Sequence, residues 1–373
     1  MLLTGDQILF PDAEAPVAGW LEISGEHILA TGVGAAPRPV DEHLVGLVIP
    51  GYVDVHSHGG GGASFVTEDP AVVRTVLAAH LRHGVTTMVA SLVTGSVPNL
   101  IRQIDCLAGL FESGEIAGIH LEGPWLADEF KGAHPAELLT DPQPQQVAEL
   151  IDAGRGAVKM ITIAPEGAGA LESIAMMTAR GVVAAIGHTN ADYATCRAAI
   201  EAGATGATHL FNAMAGLHHR EPGPVLALWE DPRVYLELIA DGVHVRPELV
   251  AFVAATAPDR VVFVTDAIAG AASSDGDYLL GALPVEVRDG IALIAGTRTL
   301  AGSTLTLDRA VRNAVAAGIP LPQAVRAATQ HPADYLSLPE VGRLSPGMRA
   351  DLAVLDGDLA VTRVLQRGVW LSA

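Results

Sequence analysis

Val48-Ile49-Pro50-Gly51-Tyr52-Val53-Asp54-Val55-His56-Ser57-His58 is an apolar, β-branched run that stops at a pair of histidines. Such a run reads as a buried strand with imidazoles at its carboxyl end. His56 and His58 are two residues apart, so on a strand both side chains leave the same face. Downstream the pattern recurs in residues 86–90, 116–121, 158–163, 182–186, 206–210, 234–239 and 261–265, and alanine-rich helical stretches such as 71–82 fall between most of these runs. Eight strands with helical crossovers predict an α/β fold, a closed (β/α)8 TIM-like barrel whose chemistry sits at the strands' carboxyl ends. An open doubly wound sheet would carry a glycine-rich phosphate turn leading into a helix after its first strand. Gly59-Gly60-Gly61-Gly62 lacks that context and reads as a flexible loop that lets backbone pass close to a metal or ligand.

Both ends of the chain read differently. Gln7-Ile8-Leu9-Phe10, Gly19-Trp20-Leu21-Glu22-Ile23 and His27-Ile28-Leu29-Ala30 are short strand-like runs broken by Gly, Pro and Asp, and Asp351-Leu352-Ala353-Val354-Leu355, Thr362-Arg363-Val364-Leu365 and Gly368-Val369-Trp370-Leu371 answer them. Residues 1–47 and 341–373 are therefore expected to form one small β-sandwich domain, which leaves 48–340 for the barrel. Residues 273–298 read as a turn-rich insertion covering the site.

At 373 residues the chain is long enough to bury a large core. Its formal charge of −20 repels a phosphate backbone, which argues against nucleic acid as partner. Cys106 and Cys196 are too few and too far apart for a disulfide framework. Residues 1–30 lack the basic start and unbroken apolar core of a secretory signal, and no other stretch is long and apolar enough to span a bilayer, so a cytoplasmic protein without membrane contact is expected.

Four further strand endings carry ligand-type side chains: His120-Leu121-Glu122-Gly123, Ile186-Gly187-His188, Ala207-Thr208-His209 and Val264-Thr265-Asp266. Glu122, His188 and His209 add one carboxylate and two imidazoles to His56 and His58. That set suits a divalent metal, Zn2+ foremost, with Fe2+, Co2+ and Mn2+ compatible, as one ion or two. Asp266 has two open roles, as a ligand or as the acceptor of a proton from metal-activated water, and the second is favoured. Lys159 precedes the apolar body of its strand, at the end away from the mouth, so Glu122 is the better candidate to bridge two ions.

These motifs, with Ser345-Pro346-Gly347-Met348-Arg349-Ala350-Asp351-Leu352, resemble the amidohydrolase superfamily. Lys131-Gly132-Ala133-His134-Pro135, Thr208-His209-Leu210-Phe211-Asn212-Ala213-Met214, Arg220-Glu221-Pro222-Gly223, Asp241-Gly242-Val243-His244 and Leu300-Ala301-Gly302-Ser303 narrow the resemblance to its N-acetylglucosamine-6-phosphate deacetylase family. The resemblance implies metal-dependent removal of the acetyl group from a phosphorylated amino sugar, in amino-sugar catabolism and cell-wall sugar recycling. It makes Glu122, His188 and His209 the principal ligands, Asp266 the proton carrier, and Ala133 and His134 neighbours of the substrate. It assigns Asn212, Ala213 and His244 to the phosphate region, where Arg220 is the natural clamp. Leu300, Ala301 and Gly302 are expected to offer backbone groups to the sugar. The resemblance further implies a homodimer with the phosphate end near the partner. The metal scaffold alone would also serve a cyclic amide, but a phosphate clamp argues against that substrate.

Overall fold

The structure, a computed structural model, describes residues 1–11 and 13–372. Eight parallel strands form one sheet in chain order: β1 (Tyr52–Ser57), β2 (Val85–Val93), β3 (Gly118–Glu122), β4 (Val158–Ile163), β5 (Val183–Ile186), β6 (Gly206–Ala207), β7 (Tyr235–Leu238) and β8 (Val261–Phe263). The carboxyl ends of the first and last strands are joined, because Asp266 N donates to His56 O at 2.8 Å and Thr265 Oγ1 donates to Asp54 Oδ2 at 2.7 Å. The strands are buried on both faces; every residue of β2 is inaccessible, as expected for a parallel sheet covered by helices. Each fully buried Val, Leu or Ile side chain among them contributes roughly 1.5–3 kcal/mol of transfer free energy.

The helix Pro70–Leu81 shows how locally the crossovers are specified. Asp69 caps it by accepting from Ala71 N at 2.8 Å, and Pro70 at the first position has no N–H to leave unsatisfied.

The run that began at Val48 divides. Glu42–Pro50 is a strand of the terminal domain, and β1 starts only at Tyr52. Gly51 makes the junction, where a β-carbon would lie 2.1 Å from Thr86 Oγ1. The chain passes from one layer to the next at a point where a side chain has no room.

The terminal strands Leu2–Ile8, Val17–Ser24, His27–Val33, Glu42–Pro50, Leu352–Leu355, Val361–Gln366 and Val369–Trp370 are linked as one seven-stranded sheet. Glu42–Pro50 joins the halves, pairing in parallel with Leu2–Ile8 and antiparallel with Leu352–Leu355. The far edge returns to the C-terminal part, with Ile28 N donating to Met348 O and Gly347 N to Ile28 O, each at 2.8 Å. The sheet thus folds over on itself around Leu3, Leu21, Ile28, Leu44, Leu352 and Leu365, in keeping with the expected sandwich. Arg349 and Gln366 both donate to Thr86 O, at 3.1 and 2.8 Å, and tie this domain to the barrel.

The stretch read as turn-rich is more regular than expected. Gly276–Leu280, Leu283–Arg288 and Ile291–Ile294 form a three-stranded antiparallel sheet. Leu280, Val285 and Val287 alternate inwards and pack with Val93 and Ile268 beside the barrel mouth. Cys106 and Cys196 are free thiols on the helices Val97–Glu112 and Tyr193–Glu201. Among the described residues no helix is long and apolar enough to cross a membrane.

Candidate active site

The carboxyl ends of β1, β3, β5, β6 and β8 bring His56, His58, Glu122, His188, His209 and Asp266 together, all buried. Glu122 stands at the centre. Its Oε1 lies 3.1 Å from His188 Nε2 and 3.0 Å from His209 Nε2, and its Oε2 lies 3.1 Å from His58 Nε2 and 3.5 Å from His134 Nε2. Asp266 Oδ1 is 3.2 Å from His58 Nε2 and 3.5 Å from His56 Nε2. Two groupings with the geometry of metal ligands result, His56, His58, Glu122 and Asp266, and Glu122, His134 and His188, with Glu122 common to both. Glu122, the candidate bridge in the sequence, is the carboxylate common to both groupings, and Lys159 is elsewhere, its Nζ over the Phe111 ring.

Hydrogen bonding decides which ring nitrogens face inwards. His56 Nδ1 points at Glu237 Oε2 at 2.9 Å, His58 Nδ1 at Ser91 O at 3.3 Å, and His188 Nδ1 at Phe130 O at 2.8 Å. These partners accept hydrogen bonds, so each Nδ1 donates its proton outwards, and with an ion bound each Nε2 would turn a lone pair to the centre. The inward nitrogens of His56 and His58 are 3.2 Å apart, and those of His188 and His209 are 3.1 Å apart. Nitrogens this close share either a proton or a cation between them.

The electrostatics point the same way. Burial alone would raise Glu122, but the charge of His56 and hydrogen bonds from His134, His188 and His209 hold it well below the usual carboxylate range. Burial would lower His58, but Asp266 and Glu122 raise it to about 9. The two carboxylates therefore draw positive charge into a buried site, and a divalent ion would supply it. Burial pushes His188 down to about 4, which leaves it neutral and fit to coordinate. Mixed imidazole and carboxylate donors suit Zn2+ and its borderline neighbours.

The backbone at the site is strained. His188, His209 and Asp266 have φ of 49°, 30° and 47°, and Phe211 and Ala213 follow at 81° and 48°. Non-glycine residues in this left-handed region are uncommon and carry a cost of roughly 1–3 kcal/mol each. The chain turns sharply just past β5, β6 and β8, and this turns the three side chains into the mouth. It also explains why β6 ends at Ala207, two residues short of His209, where a longer strand was expected.

Above the cluster lies a pocket of about 580 Å3. His134, Ala133, Asn212, Ala213, His244, Leu300 and Gly302 line it, as do His58, Glu122, His188, His209 and Asp266. His134 is held by Thr94, whose hydroxyl is 2.8 Å from its Nδ1, and His244 by Asp241, at 2.7 Å from its Nδ1. Asn212 Nδ2 donates to His209 O at 3.1 Å. Ala301 lies beneath the wall, fully buried. Arg220 is not in this pocket. It sits in an exposed loop beside His219, 2.8 Å from that ring, and lines a separate surface depression.

Sequence reasoning passed over the residues that support the ligands: Glu237 behind His56, Ser91 behind His58, Thr94 behind His134 and the Phe130 carbonyl behind His188. Only Glu237 left a signal. A carboxylate inside Tyr235-Leu236-Glu237-Leu238-Ile239 is costly to bury without a partner. Arg298 and Thr299, at the end of the three-stranded insertion, also line the pocket.

A model of the amidohydrolase family matches residues 47–371. The fold is similar to the crystal structure of N-acetyl-D-glucosamine-6-phosphate deacetylase from Mycobacterium smegmatis, with 48% identity, a TM-score of 0.97 and all of both chains covered. A mutant of that enzyme, solved in complex with N-acetyl-D-glucosamine 6-phosphate, matches equally well, with a TM-score of 0.97. Among relatives, an N-acetylgalactosamine-6-phosphate deacetylase of Escherichia coli O157:H7 is 37% identical over 94% of this chain and 95% of its own length. The human N-acetylglucosamine-6-phosphate deacetylase is 37% identical over 87% and 83%. With its buried carboxylate–histidine cluster at the mouth of an eight-stranded barrel, this chain belongs to the amidohydrolase family, within its N-acetylglucosamine-6-phosphate deacetylase group.

Proposed function

We propose that this protein hydrolyses the acetamide of N-acetyl-D-glucosamine 6-phosphate to D-glucosamine 6-phosphate and acetate, a step of amino-sugar catabolism and cell-wall sugar recycling. The observation that carries this reading is Asp266 beside the Glu122–histidine cluster on the floor of a pocket large enough for a phosphorylated sugar. One or two divalent ions, Zn2+ foremost, would be held by Glu122, His188 and His209 with His56 and His58.

A bound divalent ion supplies Lewis acidity, polarising the acetyl carbonyl and making water more acidic. Asp266 is anionic, because His56 and His58 outweigh the effect of burial and lower it, so it can accept the proton of the attacking water. The same carboxyl then delivers that proton to the sugar nitrogen, turning a poor leaving group into an amine. His134, fixed by Thr94, donates to the oxygen on which negative charge develops. Asn212, Ala213 and His244 receive the phosphate end, while Ala133 and the backbone of Leu300, Ala301 and Gly302 hold the sugar.

Arg220 completes the phosphate site across a homodimer. Its exposed loop, outside its own pocket, is where a residue serving the neighbouring subunit would lie. The setting is cytoplasmic.

A second sugar is favoured by one finding, the E. coli relative named for the galactosamine epimer, which matches this chain over nearly its whole length. Acetate release from the metal-loaded protein should be measured with N-acetylglucosamine 6-phosphate, its galactosamine epimer and unphosphorylated N-acetylglucosamine in parallel. The glucosamine phosphate is expected to have the highest kcat/KM. Preference for the epimer would move the assignment to that sugar, and turnover of a dihydropyrimidine with neither sugar phosphate cleaved would overturn the deacetylase reading.

A further inference from the structure

Glu237 is a carboxylate in the middle of a barrel strand, with no exposed surface. A carboxylate there costs several kcal/mol unless its oxygens are satisfied. Its neighbours show what satisfies it. Oε2 accepts from His56 Nδ1 at 2.9 Å and from the His209 backbone N–H at 3.3 Å, and the Tyr335 hydroxyl approaches Oε1 at 3.5 Å. Tyr335 gains access through a gap in β6, because a β-carbon on Gly206 would lie 1.8 Å from its hydroxyl oxygen. One buried group therefore braces a first-strand histidine through its ring and the β6 histidine through its backbone.

Of the four histidines proposed as metal ligands, only His56 backs onto a carboxylate. His58 and His188 rest on backbone carbonyls, and His209 Nδ1 has no partner among the described residues. A carboxylate behind an imidazole fixes the proton on the rear nitrogen, holds the ring plane and makes the front nitrogen a stronger donor.

We propose that Glu237 is a positioning residue for His56, and that it thereby sets how tightly the ion on the β1 side of Glu122 is held. Glu237 touches neither substrate nor the inward nitrogen; it acts through His56. The proposal rests on the two-ion form of the site described above. In that form the ion near His188 and His209 is held without help from Glu237, beyond the single backbone contact.

The test uses the full-length protein with Zn2+ as probe. Parent, Glu237→Gln and Glu237→Ala are loaded, dialysed against graded chelator and analysed for zinc per chain. Imidazole nitrogen resonances of the zinc-loaded protein, with His56 assigned by its loss in His56→Gln, report which ring nitrogen carries the proton. The expected result is a His56 proton on Nδ1 in the parent, and retention of the weaker ion reduced about 10- to 100-fold in Glu237→Ala. Glu237→Gln should fall between, because its amide oxygen still accepts the proton without the charge. This variant is nearly isosteric and keeps the test open if the alanine protein does not fold. Parental zinc retention in both variants would overturn the proposal, as would a His56 proton on Nε2 in the parent. A parent that binds one ion contradicts the two-ion reading alone, and the His56 tautomer still decides the role of Glu237.

Discussion

Gly302 is packed against Asp266. A β-carbon at position 302 would stand 2.8 Å from the Asp266 carbonyl oxygen, at a φ of 58° that side chains resist, while Ser303 N donates to that same oxygen at 2.7 Å. The Leu300–Ser303 turn therefore fixes the height of Asp266, the proposed proton carrier, as well as forming the pocket wall. Gly302→Ala is expected to lower kcat about 10²-fold, the usual penalty for a misplacement near 1 Å, with zinc content little changed. Acetate release and elemental analysis on the same sample check this, and full activity would show that the turn can give.

Asp266→Asn keeps the shape of the side chain and removes its basicity. Loss of general acid–base catalysis should cost about 10²–10⁴-fold in kcat while the ion remains bound. An asparagine protein of undiminished turnover would mean that Asp266 does not carry the proton.

Glu122 faces one histidine pair with each oxygen, so Glu122→Ala should empty the site on both sides and reduce turnover at least as far as the Asp266 change. Chelation of the parent should abolish acetate release and added Zn2+ restore it. Parental zinc per chain in the variant would exclude the bridging role.

Arg220→Ala removes a charge-assisted contact proposed for the phosphate. KM for the phosphorylated sugar is expected to rise about 10- to 100-fold, and that for unphosphorylated N-acetylglucosamine to stay unchanged. Because Arg220 lies outside its own pocket, the effect should disappear below the concentration at which sedimentation shows the dimer dissociating, where the parent already behaves like the variant.

Asp308 offers a pH-dependent test of stability away from the chemistry. Burial would raise its carboxyl, but His83, with Nδ1 3.3 Å from Oδ1, and the charge of Arg312, 2.8 Å from Oδ2, carry it well below the usual range. A depressed folded-state value means the stabilisation is complete above the unfolded value near 4 and is lost as pH falls through the folded one. Asp308→Asn should therefore cost about 1–3 kcal/mol in urea unfolding at pH 7, with the gap to the parent closing only in strong acid. A gap that closed already between pH 8 and 6 would contradict this.

The barrel was legible because its strands are short apolar runs that stop at polar residues, and burial on both faces demands that composition. The clustered site residues were legible for a related reason: His56, His58, Glu122, His188, His209 and Asp266 each follow an apolar run at once, and a strand end in this fold opens on the mouth. The insertion at 276–294 was harder to read, since strands of four to six residues with a proline and several charges resemble loop in isolation. Pairing between them, and packing onto Val93 and Ile268, supplies the missing regularity.

By itself the chain determined the alternation of strand and helix and the candidate ligands and proton carrier at the strand ends, since each depends on local periodicity and side-chain chemistry. Tertiary structure alone decided that Glu122 spans both histidine groups, that Glu237 stands behind His56, 181 positions away, and that Arg220 lies outside the pocket. These are distances between residues remote in the chain, created only when the barrel closes, and no local pattern encodes them.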